Sequence, residues 1–449
     1  FLESFEMRMC STFPSILAVL FSGAPCPFFV NAIRPETFWH NDGEKIERGE
    51  AEGEGDDLTF LFMGDWGHSS DGQADIADAM GEKARELAAK FVIPGGDNFY
   101  ESGVMSVSDR LWGSLFETVY NHSHLEDKDF FPVLGNHDWY GNATAQLAYT
   151  DLLEKPLKWK MPNLWYSQVH FFGSGARESS LLLLYTDSFV WCDHGYTPES
   201  HREIQREFVN TTLMTAKENA DWIVVVGHYP VLSSGSHGDQ ACLVTDLEPA
   251  LHAAGVDAYV NGHDHHQELL TRVSLEHQTA PGNITKSTPR PGSPPPVNFV
   301  IAGTGSKTDR NERKHAHRQW RNNDHGFAAF TFSPSTDTMR IRWYGQKGQI
   351  LHEHAQKKRE RRKSAGGGKQ WVDALPEFHR VTITFQKPAI FRFGVFLACT
   401  SFGRVALLIL ISFYFGIFIL ARGAAKLLQK KSTERMSALT ESVRSPKAK

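Results

Sequence analysis

Five short glycine-bearing turns carry the side chains suited to chemistry. They read Gly64-Asp65, Gly96-Asp97-Asn98-Phe99-Tyr100, Gly135-Asn136-His137-Asp138, Gly227-His228 and Gly262-His263-Asp264-His265. A lone Asp or His in a loop is ordinarily a hydrogen-bonded turn residue. Five such turns in order, each after a strand-like run, do not share that explanation. A metal centre does explain them, because it needs ligands delivered from several strand ends and glycines that let backbones crowd together. The donor types divide into two kinds. Carboxylate and phenol oxygens are hard anionic donors suited to a trivalent ion, whereas an amide with imidazoles forms a more neutral set suited to a divalent one. A bridging carboxylate can hold both, and a highly charged ion lowers the pKa of its water enough to make hydroxide available in acid. The chemistry this points to is metal-assisted hydrolysis.

The elements that must position these turns follow from periodicity. Residues 58–63, 91–94, 131–134, 181–185, 222–226 and 258–260 are brief apolar runs, as buried strands are. Segments 73–90, 109–120, 199–217 and 243–254 have helical composition and spacing. Runs 299–302, 327–332 and 339–344 read as strands without intervening helices. The mixture predicts an α/β domain over 58–355, a β core flanked by helices. Residues 33–57 read as an acidic linker, 279–296 (six prolines) as a flexible insertion, and 356–392 as a basic and juxtamembrane linker.

The chain has 449 residues, 41% hydrophobic and 22% charged, with a net charge of -5. That composition excludes a disordered or multi-span protein, and the acidic balance argues against a nucleic-acid partner. Residues 405–421 are seventeen consecutive uncharged, mostly apolar residues, about 25 Å as a helix. Extended upstream to 393, they predict one C-terminal transmembrane helix. The tail 422–449 holds eight Lys/Arg against two Asp/Glu, so the positive-inside rule puts it in the cytosol and the body in a lumen or outside. Segment 1–32 resembles a secretory signal, with Arg8 ahead of an apolar stretch and small residues after it. Four sequons, at Asn121, Asn142, Asn210 and Asn283, fit a lumenal glycoprotein. Only Cys192 and Cys242 lie in the body, and an oxidising lumen makes them a natural disulfide pair. The expected location is a secretory-pathway, inner-complex or plasma membrane.

The five turns resemble the purple acid phosphatases, and especially their tartrate-resistant type, within the calcineurin-like metallophosphoesterases. The family's GDxG, GDxxY, GNH with Asp or Glu, VxxH and GHxH blocks are all intact. The resemblance implies an αββα sandwich and a dinuclear centre of Fe(III) with a divalent iron, zinc or manganese. It implies that Asp65, Tyr100 and His265 bind Fe(III), that Asp97 bridges, and that Asn136, His228 and His263 bind the second ion. His137 and His237 would contact the phosphate and help protonate the leaving group. Gly67 stands where most metallophosphodiesterases carry a His, and Tyr100 is the family's replacement ligand. The implied reaction is phosphomonoester hydrolysis by a metal-bound hydroxide, and the family also supports the Cys192–Cys242 bridge. His315, His317 and His325 look like a basic surface loop, and His266 a supporting or exposed residue. The layout, with its GNHDWYGNATAQL, MPNLWY and DALPEF stretches, also resembles the glideosome-associated membrane anchors of apicomplexan parasites. That implies an alternative role as a membrane scaffold whose tail binds a cytosolic or motor-complex partner.

Overall fold

The computed structural model describes residues 49–50, 56–152, 158–192, 197–273, 296–360 and 369–376. The expected signal segment, the tail and the span at 393–421 lie outside these residues, as do almost all of the acidic linker and the proline-rich insertion. Among the described residues no helix is long and apolar enough to cross a membrane.

Fourteen strands run through the described residues. They are β1 (Gly49–Glu50), β2 (Leu58–Met63), β3 (Phe91–Pro94), β4 (Asp129–Phe130), β5 (Tyr166–Phe172), β6 (Ser179–Tyr185) and β7 (Trp222–Val226), then β8 (Ala258–Asn261), β9 (Gln267–Arg272), β10 (Val297–Ala302), β11 (Arg318–Asn322), β12 (Gly326–Ser333), β13 (Thr338–Gly345) and β14 (Ile350–Lys357). One sheet has the order β1-β5-β6-β7-β8-β10-β9-β11 and the other β14-β13-β12-β2-β3-β4. Side chains alternate across each strand. Along β2, Leu58, Phe60 and Phe62 enter the core between the sheets, while Leu61 and Met63 join the core beneath the helices. Phe60 stacks on Phe330 of β12 at 4.9 Å and on Phe91 of β3 at 5.4 Å. Because both faces are covered, β2 reads in sequence as an unbroken apolar run.

The helices are α1 (Asp71–Glu86), α2 (Asn136–Tyr140), α3 (Ala143–Tyr149), α4 (Ser188–Cys192), α5 (Glu199–Lys217), α6 (Ala241–Asp246) and α7 (Glu248–Ala254). Ser70 caps α1 by accepting from Gln73 N at 3.2 Å, and Ile76, Ala77, Met80 and Ala84 form its buried stripe. The disulfide between Cys192 and Cys242 is present and ties the end of α4 to α6.

Several expectations need correction. The strand expected over 131–134 is shorter and earlier: β4 is Asp129–Phe130, and beyond it only Phe131 N to Val92 O, Val133 N to Pro94 O and an isolated bridge of Val133 to Gly95 continue the pairing with the neighbouring strand. The helix expected over 109–120 is one π-helical turn, Trp112–Glu117, closed by Thr118 N donating to Gly113 O. The helix expected over 243–254 divides at Leu247, since Pro249 cannot continue a preceding helix. Strands β1, β5, β9, β11 and β14 lie outside the apolar runs, and β1 falls within the segment expected to be a linker. β11 and β14 are sheet edges whose half-exposed residues are polar, and so lack an apolar signature. Part of the expected 356–392 linker is docked: Trp371, Val372 and Leu375 are buried, and Lys369 lies 3.1 Å from Glu178.

β2 and β3 are parallel in one sheet, and β7 and β8 are parallel in the other. The turns after these four strands therefore deliver Asp65, Asp97, His228 and His263, and the turn after β4 delivers Asn136.

Candidate metal centre

The backbone at three of these positions adopts a conformation that side-chain-bearing residues rarely use. Asp65 has φ +56, Asp97 φ +51 and His263 φ +70. Left-handed backbone at a non-glycine residue costs about 1 kcal/mol or more, and concentrates where the surroundings over-determine geometry. Here the surroundings do so through glycines. A Cβ on Gly262 would sit 2.4 Å from Asp65 Oδ2, and one on Gly135 would sit 2.1 Å from Asp97 Oδ1 and 2.8 Å from His228 Nε2. Gly67 is forced in the same way: a Cβ there would lie 2.0 Å from Asn98 O. A side chain there would collide with Asn98, and it is Tyr100 whose side chain reaches Asp65.

The predicted residues converge in two groups. In the first, Tyr100 Oη donates to Asp65 Oδ1 at 3.1 Å and lies 3.2 Å from His265 Nε2, which is 3.4 Å from Asp65 Oδ1. Donors bound at about 2.1 Å on neighbouring corners of an octahedron are about 3 Å apart, so this triangle has the dimensions of a coordination face. In the second group, ligand atoms of Asp97, His228 and His263 all lie within 4.8 Å of one another. Asn136 stands beside them at the start of α2, where the next residue's N–H, His137 N, donates to Asp97 Oδ1 at 3.0 Å. Asp97 also acts electrostatically on Tyr100 and His265, as a residue placed between the groups must.

Hydrogen bonds orient the donors. His228 Nδ1 lies 2.8 Å from Gly95 O; a carbonyl only accepts, so Nδ1 carries the hydrogen and Nε2 faces the centre. Asn136 Oδ1 is buried without a hydrogen-bond partner, and His228 Nε2 is buried with only the Asp97 carboxylate facing it. Burial without a partner is costly, and a cation would supply the partner that Asn136 Oδ1 lacks. The donor set therefore fits a metal pair. Burial works against the His228 imidazolium, but the Asp97 carboxylate, 3.3 Å away, outweighs it and raises the pKa to about 9 in the metal-free protein. Burial together with neighbouring His228 holds His263 well below the usual imidazole value. Burial and the Asp65 and Asp97 carboxylates push the Tyr100 phenol up, so its ionisation awaits a bound cation.

The two non-ligand histidines flank the groups. His137 Nδ1 donates to Glu101 O at 2.6 Å, and its Nε2 lies 3.9 Å from Asp97 Oδ2. His237 is about half exposed; its ring is 4.1 Å from that of His263, and Nδ1 donates to Asp264 Oδ1 at 2.8 Å. His266 is buried against Glu268 at 2.9 Å, so it supports the site from behind. Outside the two groups, His315 pairs with Asp239, and His325 Nδ1 donates to Thr304 O. Residues to which the sequence assigned no role include Asp264 and Asp138. Asp138 accepts from Gly135 N, Asn98 N and Phe99 N, which clamps the second and third turns together. Both stand inside the motif blocks, a signal that could have marked them. Tyr140, which accepts from Asn136 Nδ2 at 3.3 Å, and Lys307, whose ammonium lies 3.6 Å from the centroid of the Tyr100 ring, fall outside those blocks.

Comparison with known proteins agrees with this geometry. Residues 58–267 match the family model for calcineurin-like phosphoesterases. The chain is 35% identical over 237 residues to tartrate-resistant acid phosphatase type 5 of Oryctolagus cuniculus, covering 49% of this chain and 70% of that protein. It is 29% identical over 313 residues to purple acid phosphatase 3 of Arabidopsis thaliana, covering 66% and 76%. Among solved structures it is similar to GAP50, the anchor in the inner membrane complex of Plasmodium, with a TM-score of 0.64 and 25% identity over 74% of this chain and 99% of that one.

Proposed function

The chain belongs to the purple and tartrate-resistant acid phosphatase family of calcineurin-like phosphoesterases, and from that premise we propose that it is a membrane-anchored phosphomonoesterase with a dinuclear centre. The observation that carries this reading is the convergence of all seven expected ligands, with Asn136 Oδ1 buried and unpartnered among them. Asp65, Tyr100 and His265 would hold an Fe(III), Asn136, His228 and His263 would hold a divalent iron, zinc or manganese, and Asp97 would serve both. When bound, the pair supplies positive charge for the phosphate oxygens and a water acidic enough to serve as nucleophile. His137 presents Nε2 to the phosphate, its ring set by the bond from Nδ1 to Glu101 O. His237 holds a proton on Nε2 for the leaving oxygen, and the Asp264 carboxylate at Nδ1 stabilises the imidazolium that donates it.

The span 393–421 holds the protein in a membrane, with the catalytic body lumenal and the tail cytosolic. A scaffold role resembling the Plasmodium anchor is the second reading, favoured by the similarity over nearly all of that chain. The intact ligand set favours catalysis, and the two roles are compatible.

The test is metal analysis with an aryl phosphate assay at acid pH. Two metals per chain, a visible tyrosinate-to-iron band and turnover are expected, with Tyr100→Phe abolishing the band. A folded, colourless chain that cannot be loaded with iron refutes the catalytic reading.

A further inference from the structure

The loop after β10 passes directly over the first ligand group. Ser306 Oγ donates to Asp65 O at 2.7 Å, and Asp309 N donates to His265 O at 2.7 Å. Lys307, one of the two residues between these anchors, is thus tied on both sides to proposed iron ligands. Its ammonium lies 3.6 Å from the centroid of the Tyr100 ring and 3.0 Å from Glu101 Oε1. The Lys307 side chain is 24% exposed and that of Glu101 64%. Solvent therefore screens the carboxylate more than the ammonium, and the ring experiences mainly the positive charge.

We propose that Lys307 tunes the iron site by stabilising the Tyr100 phenolate from its ring face. The proposal rests on the iron reading above. A cation over an aromatic face is held by the ring's electron density, and the attraction grows when the phenol ionises and the ring becomes electron-rich. A metal bonded to Oη lies beyond the ring edge, farther from the ammonium than the ring itself. The charge of Lys307 therefore lowers the energy of the phenolate electrons more than that of the metal orbitals. Charge transfer from phenolate to iron then needs more energy, and the site is easier to reduce. Groups that act on a metal through its ligands in this way are common tuning devices.

The experiment compares absorption spectra and reduction potentials of the iron-loaded wild type with those of Lys307→Met, Lys307→Gln and Lys307→Arg, with metal content and circular dichroism confirming loading and fold. The two neutral variants are expected to move the band to longer wavelength by about 10 nm, from the difference in Coulomb energy at ring and metal, and to lower the potential. Lys307→Arg keeps both near the wild-type values. An unmoved band in both loaded neutral variants overturns the proposal, even if phosphate affinity falls, since Lys307 would then serve the substrate rather than the phenolate. A colourless wild type overturns the iron reading itself, an outcome distinct from a coloured wild type whose band ignores Lys307.

Discussion

Gly135→Ala adds one methyl group and separates function from stability. Gly135 has φ -101, a backbone open to any L-residue, so the substitution introduces no conformational strain. The methyl carbon would nevertheless sit 2.1 Å from Asp97 Oδ1, 2.3 Å from Asp97 N and 2.8 Å from His228 Nε2. Ordinary contact distances exceed these by about 1 Å, so the bridging carboxylate or the β4–α2 turn must shift by that much. Misplacement by about 1 Å costs roughly 100-fold in turnover, and the second metal should be lost or weakly held. Stability pays less, with overpacking costing about 1–3 kcal/mol and the lost glycine entropy returning about 0.4–1 kcal/mol. Gly113→Ala is the control, since nothing lies within 4 Å of its would-be Cβ. Metals per chain, kcat/KM with an aryl phosphate and thermal unfolding should be measured on both. If Gly135→Ala keeps two metals and wild-type turnover, the convergence of Asp97 and His228 on one ion is wrong.

Other expectations follow from the same geometry. Asn136→Ala removes the unpartnered Oδ1 and should lower the affinity for the second metal and most of the turnover; unchanged metal content would remove Asn136 from the ligand set. In the metal-free protein the pKa of His228, about 9, exceeds its unfolded value near 6.5. The stabilisation is therefore complete below pH 6.5 and disappears as pH rises through 9, an order-of-magnitude loss of about 3 kcal/mol. Urea unfolding at the two ends of that window checks this, and Asp97→Asn should flatten the curve. Cys192→Ser opens a bridge between residues 50 apart and should cost about 4 kcal/mol in the chain-entropy account; an unfolding midpoint equal to that of the wild type under oxidising conditions would contradict it.

Much of the site was legible because its signals are local. A glycine beside an Asp or His at the end of an apolar run marks a crowded strand terminus, and the five turns repeat that mark. The strands themselves were legible where both faces are buried, as in β2, β3 and β7. Legibility failed where the deciding contact was distant. β14 reads ILHEHAQK, and only its register with β13 identifies it as a strand. Residues 109–120 have helical composition, but only a single wide turn forms there, with Trp112 packed on Phe99, Tyr149 and Trp159.

The sequence by itself determined the ligand types, their order along the chain, the disulfide partners and the family, since each is written in short, contiguous blocks. Only tertiary structure supplied the distances that bring the donors into two groups. Asp65, Tyr100 and His265 meet across 200 residues, and Gly262 and Gly135 approach Asp65 and Asp97 so closely that a Cβ would collide with their carboxylates. Tertiary structure alone also placed Lys307 over the Tyr100 ring. Such placements depend on close approach between remote segments, and chain spacing carries no information about distance once the chain has folded back on itself.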